Sequence, residues 1–120
     1  MENICEPYKL ARMNIQEMES KADEAAALLA SMANSRRLLV LCHLVRGEHC
    51  VGALAERVGL SQSALSQHLA KMRVQGLVEA RREGQTVYYS LASTEVLAVL
   101  ETLYGIYCGV DAGSEGAVGA

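Results

Sequence analysis

Four cysteines, Cys5, Cys42, Cys50 and Cys108, and three histidines, His43, His49 and His68, are the residues of this chain best suited to chemistry. Thiolates attack electrophiles, bind metals and form sulfur–sulfur bonds, while imidazoles bind metals or move protons. Spacing narrows the choice, because no CxxC pair occurs and neither a thioredoxin-like motif nor a zinc ribbon can be built. Cys42 and His43 are adjacent in RRLLVLCHLV, and adjacent helical residues do not face each other, so a thiol-peroxidase dyad has poor geometry there. There is no Gly-rich phosphate loop, paired-carboxylate constellation or Ser/His/Asp arrangement, so no enzyme is expected and no cofactor is assigned.

The elements that must hold these groups follow from periodicity. Ile15, Met18, Ala22, Ala25, Leu28, Leu29 and Met32 recur at three and four, giving a first amphipathic helix from near Asn14. Asn34 or Ser35 can cap a second helix that runs to about Arg46, stops at Gly47 and carries Cys42 on a stripe with Leu38, Leu41 and Val45. In that setting Cys42 reads equally as a buried packing residue, since free cysteine is among the most buried residue types. A short third helix, about 51 to 58, is followed by a turn at Gly59-Leu60-Ser61 and a fourth helix from Gln62 to about Gln75. Leu65, Leu69 and Met72 face inward from it, and Ser63, Ser66, Gln67, Ala70 and Val74 face outward.

After Gly76, LVEARREGQTVYYSL alternates in twos and reverses near Glu83-Gly84, the pattern of a β-hairpin. Thr94 can cap a last helix whose apolar residues, Val96 to Tyr107, cover too much circumference for a lone surface helix. Residues 1–13 read as an arm, 14–108 as one domain and 109–120, rich in Gly and Ala, as a disordered tail. The expected class is therefore mainly α with a β-hairpin wing (α+β), a winged helix-turn-helix with four helices, two strands and a fifth helix.

The 120 residues are 51% hydrophobic and carry a net charge of -3, but the charge is uneven. Residues 36–82 hold eight Arg and Lys against three Glu, a local excess suited to DNA. Gln67, Ser63 and Ser66 present short polar groups to a major groove, and a glutamine can bridge adenine N6 and N7. Lys71, Arg81 and Arg82 are placed to grip phosphates. Gln62 at the helix start and Gln85 at the hairpin tip complete the DNA-facing set, while His68, bordering the apolar stripe, is open to a structural or a DNA-contacting role. No run approaches the ~18 apolar residues of a membrane span and MENICEPYKLARM lacks the features of a signal peptide, so a cytoplasmic protein is expected.

The stretch from Met32 to Leu91, with SQSALSQHLAKMRVQGLVEARREGQTVYY at its centre, resembles the ArsR/SmtB family of dimeric winged-helix repressors. The resemblance spans about residues 14–108. It implies a homodimer formed through the first and last helices, and operator DNA read by the fourth helix with the hairpin as wing. Two metal sites known in that family are incomplete here. The thiolate motif ELCVCDL reads EHCVGAL, leaving Cys50 without its second cysteine at Gly52, and residues 94–108 hold no histidine. A site shared between subunits and drawing on Cys5, His43, His49 and Cys50 has no spacing that demands it, so no metal ligand is assigned.

Two contexts, CHLVRGE around Cys42 and LYGIYC ending at Cys108, resemble the BigR, SqrR and HlyU subgroup that senses persulfides. By that resemblance Cys42 and Cys108 are the sensing pair, and a polysulfide bridge between them weakens operator binding. A direct disulfide needs Cα atoms within about 7 Å, and inserted sulfurs relax that limit, so the reduced pair is expected slightly too far apart for an unstrained disulfide. Cys5 and Cys50 have no such context. A metal-responsive repressor and an effector-independent DNA-binding protein are the alternatives.

Overall fold

The computed structural model describes residues 13–109, and nearly all of the expected arm and tail, with Cys5, lies outside them. The chain divides into two compact units, one ending at Ala30 and one beginning at Ser31. The first unit consists, among the described residues, of most of helix α1, Ile15–Met32. Asn14 starts it, its Oδ1 accepting from the backbone N–H groups of Gln16 and Glu17 at 2.9 and 3.3 Å. These are donors a helix N-terminus cannot satisfy internally. Ile15, Met18 and Leu29 are exposed on α1.

The second unit holds α2 (Ser35–Val45), β1 (His49–Cys50), α3 (Val51–Val58), α4 (Gln62–Val74), β2 (Val78–Glu83), β3 (Thr86–Leu91) and α5 (Thr94–Tyr104), followed by a π-helical turn, Gly105–Gly109. Asn34, not Ser35, caps α2, and Ser61 caps α4 by accepting from the Ala64 N–H. Ser93 caps α5, one residue before the expected Thr94, because its hydroxyl reaches the Val96 N–H at 3.1 Å. Gly59 takes φ +75° to end α3 and begin the turn into α4, a conformation that costs other residues a Cβ clash.

The sheet has three strands rather than the two expected. β1 pairs with β3 through His49↔Tyr89 and Cys50↔Tyr88, and β2 pairs with β3 from Val78↔Leu91 to Glu83↔Thr86, all antiparallel. A two-residue strand carries too little alternation to show in sequence; it is made by its partner. The hairpin reverses at Gly84-Gln85, with Gly84 at φ +63°. The last helix is also not uniform. The wide π turn brings Gly109 against Tyr104, where a Cβ would stand 3.2 Å from the ring and 3.3 Å from the Tyr104 carbonyl oxygen, so a side chain at 109 would require Tyr104 to shift by a few tenths of an ångström.

Val40, Leu41 and Leu44 of α2, Leu54 and Val58 of α3, Leu65, Leu69 and Met72 of α4, Val78 of β2, and Val96 and Leu100 of α5 form the core. The inward face expected for α4 is the observed one. The stripe expected for α2 is not. Val40, Leu41 and Leu44 are buried, while Leu39, Cys42 and Val45 are exposed, a rotation of about one residue around the helix. Seven apolar residues among eleven leave α2 with more than one apolar face to turn inward, and tertiary packing chose among them. Within this chain Cys42 fills no core space.

Candidate functional site

The helix-turn-helix presents one polar face. On α4, Gln62, Ser63, Ser66, Gln67, Ala70 and Lys71 are exposed, and Val74 is 87% exposed at its C-terminal end. Leu65, Leu69 and Met72 anchor the opposite side in the core, so the reading face is set by burial rather than by its own residues. Gln62 leans toward α3, its Nε2 being 3.5 Å from where a Cβ on Gly52 would stand.

His68 is half-buried and its Nδ1 accepts a 3.0 Å bond from the Arg37 Nε–H. That bond requires a neutral ring carrying its proton on Nε2. Partial burial first, then the charges of Arg37 and Lys71, hold the His68 pKa below the usual histidine value, which favours the required form. The structural role is the one with a defined partner.

The wing separates two arginines that sequence reasoning treated alike. Arg81 makes a two-pronged ion pair with Glu48, 2.9 Å at each prong, donates to Glu83 at 2.9 Å, and lies 4.9 Å above the centre of the Tyr88 ring. Its charge is balanced twice over and its fork is committed to carboxylates, so it braces the wing to the segment before β1. Bonding to Arg81 holds the Glu48 carboxyl below its usual pKa. Arg82, on the other face of β2, and Gln85 at the tip are exposed. Of the residues expected to grip phosphates, Lys71 and Arg82 are exposed and Arg81 is held in ion pairs.

Cys42 on α2 and Cys108 in the π turn are both exposed free thiols, and Cys50 is half-buried. The Cys42 pKa is raised, chiefly because neighbouring groups strip water from its sulfur and secondly because negative charge on Cys108 acts on it. Negative charge on Cys108 thus disfavours the Cys42 thiolate. A thiol held in its protonated form is a weaker nucleophile.

Elsewhere His43 and His49 meet edge to face with ring centres 6.2 Å apart, and His49 donates from Nδ1 to the Gly47 carbonyl at 2.8 Å. Among the described residues no three His, Cys, Asp or Glu side chains gather at a point where a metal ion would sit. No single described helix is long and apolar enough to cross a membrane.

Sequence reasoning missed Arg36, Arg37 and Glu48. Arg36 Nη1 donates to the Val58 carbonyl at 2.9 Å, and Arg37 Nη1 donates to that of Ser31 at 3.1 Å. One signal was present. Two cations in the first turn of a helix oppose its dipole, which is tolerated when they are drawn off to partners elsewhere.

A helix-turn-helix with an adjoining β-hairpin defines a winged-helix DNA-binding protein. Residues 34–80 match the bacterial regulatory protein, arsR family. The transcriptional activator HlyU of Vibrio cholerae is 56% identical over 103 residues, 85% of this chain and 95% of that protein. The solved structure of reduced HlyU from Vibrio cholerae N16961 superposes with a TM-score of 0.72 at 56% identity, covering 78% of this chain and 98% of that one. The transcriptional repressor BigR from Xylella fastidiosa superposes with a TM-score of 0.77 at 37% identity, covering 81% of this chain and 99% of its own. The chain belongs to the ArsR family of DNA-binding transcriptional regulators.

Proposed function

We propose that this protein is a cytoplasmic, homodimeric, sequence-specific repressor that leaves its operator when reactive sulfur links Cys42 to Cys108. The observation that carries the reading is the pair of exposed free thiols within one chain, one on α2 and the other just beyond α5. Exposed Leu39, Val45, Tyr104, Ile106 and Tyr107 in the same unit supply apolar surface for a second copy.

The chemistry balances without an external oxidant. A Cys42 thiolate attacks the outer sulfur of a donor persulfide, releasing the donor thiol and leaving a cysteine persulfide. A second transfer extends it by one sulfur. Cys108 then attacks the middle sulfur and expels hydrogen sulfide, so the terminal sulfane sulfur takes up the electron pair that the two thiols give. Two donor persulfides and two cysteine thiols yield a trisulfide, two donor thiols and one hydrogen sulfide.

The added sulfur supplies reach, and the link ties α2 to the end of α5. In a two-fold dimer the recognition helices must enter major grooves about 34 Å apart, so a tilt imposed on one helix spoils simultaneous contact. The test is to treat the reduced protein with glutathione persulfide, hydrogen peroxide or zinc, and measure both intact mass and operator affinity. Persulfide should add sulfur, join the Cys42 and Cys108 peptides and lower affinity; Cys42→Ser should show neither effect. Release by zinc with the thiols unmodified would replace this reading by a metal-responsive one, and unchanged affinity under all three treatments by an effector-independent one.

A further inference from the structure

Arg36 and Arg37 stand next to each other in the first turn of α2, and each holds a different helix of the helix-turn-helix. Arg36 binds the carbonyl of Val58, the last residue of α3, at 2.9 Å. Carbonyls there lack intrahelical partners and form the negative end of the helix dipole, so a cation is favoured on both counts. Arg37 binds His68 at the middle of α4 and the Ser31 carbonyl. The backbone of both arginines is fixed in turn, since Asn34 Oδ1 accepts from their N–H groups at 2.9 and 3.1 Å.

We propose that this pair is a positioning brace, and that the Arg37–His68 bond is the connection through which a change at Cys42 turns the recognition helix. The Cys42 part rests on the function proposed above; the positioning part does not. Arg37 and Cys42 lie on one helix, about 7.5 Å apart along its axis at 1.5 Å per residue, so displacing α2 at Cys42 displaces Arg37. His68 sits at the border between the buried Leu65, Leu69 and Met72 face and the exposed face, next to Gln67. A pull at that border, with the leucines held in the core, rotates α4 about its own axis and swings Gln67, Ser66 and Ser63 together. Arg36 meanwhile keeps the end of α3 fixed to the same turn of α2.

The test compares wild type, Arg37→Gln, His68→Ala, the double variant and His68→Asn, whose Oδ1 can replace Nδ1 as acceptor. In the reduced state Arg37→Gln and His68→Ala should each weaken operator binding about tenfold, the double variant should be no weaker than either, and His68→Asn should recover most of the affinity. The salt dependence of binding should keep the wild-type slope in His68→Ala and Arg37→Gln. A slope lowered by about 0.9 in Arg37→Gln, the amount for one phosphate no longer neutralised, would make Arg37 a phosphate ligand and overturn the proposal. Additive losses, or no rescue by His68→Asn, would also overturn it.

After persulfide treatment, with the bridge verified by mass, release should be several-fold smaller in Arg37→Gln than in wild type. Equal release in both would refute the connection while leaving sulfur sensing intact. A wild type that forms the bridge and stays on DNA would instead refute the sensing.

Discussion

The polar side chains proposed to face DNA differ in whether they already hold a partner within the chain. Arg81, locked between Glu48 and Glu83 over Tyr88, differs from Arg82 on the other face of the same strand. Arg82→Ala and Lys71→Ala should each weaken binding to all sequences alike and lower the salt slope by about 0.9 for every phosphate left without its cation. Arg81→Ala should leave the slope nearly unchanged, and titrations of affinity against salt concentration separate the two outcomes. Gln67→Ala should behave differently again, costing about 1–3 kcal/mol on the preferred operator and relaxing the preference at a single base pair. Binding to a panel of single-substituted operators checks this. The ion pair of Arg81 was not legible in the sequence because its carboxylate partner, Glu48, lies 33 residues away, just before the strand that was not foreseen.

At the scale of elements, α4 was legible because its apolar residues fall on one narrow stripe bounded by Ser61 and Gly76. α2 was not, because apolar residues surround it and only packing selects Val40, Leu41 and Leu44. That choice bears on the proposed function, since it turns Cys42 outward. Leu41→Ala, at a site of zero exposure, should cost about 2–5 kcal/mol of stability, whereas Cys42→Ala on the neighbouring exposed position should cost far less; chemical denaturation distinguishes them. The helices also set a pH response. His43, lowered by burial and then by Arg57, His49 and Arg46, and His68, lowered by burial and then by Arg37 and Lys71, both bind protons more weakly when folded than at the ordinary value of 6.5. The unfolded chain then takes up more protons as pH falls, so the stabilisation is complete above 6.5 and is lost as pH drops from there through the two folded values. Melting temperatures should fall across that window, and His68→Asn should flatten part of the decline.

At the scale of the whole molecule, the proposed function has a link between two small sulfurs alter the reading geometry of a two-fold dimer. The proposed function requires a second copy, and Tyr107, 79% exposed beside Cys108, is part of the apolar surface proposed for it. Tyr107→Asp should shift the protein toward monomer in sedimentation and weaken binding to a two-half-site operator far more than to a single half-site. The order of elements and the exposed polar face of α4 followed from periodicity and caps; the third strand, the π turn around Cys108 and the bonds of Arg36 and Arg37 did not, because none of them leaves a periodic signal in the sequence. The most direct measurement follows operator affinity and the mass of the Cys42–Cys108 linked peptide in the same persulfide-treated samples, alongside Cys108→Ser. Affinity falling in proportion to the linked fraction, with Cys108→Ser remaining on DNA, is the predicted result. Full linkage with undiminished affinity, or release by Cys108→Ser to the wild-type extent, would contradict it.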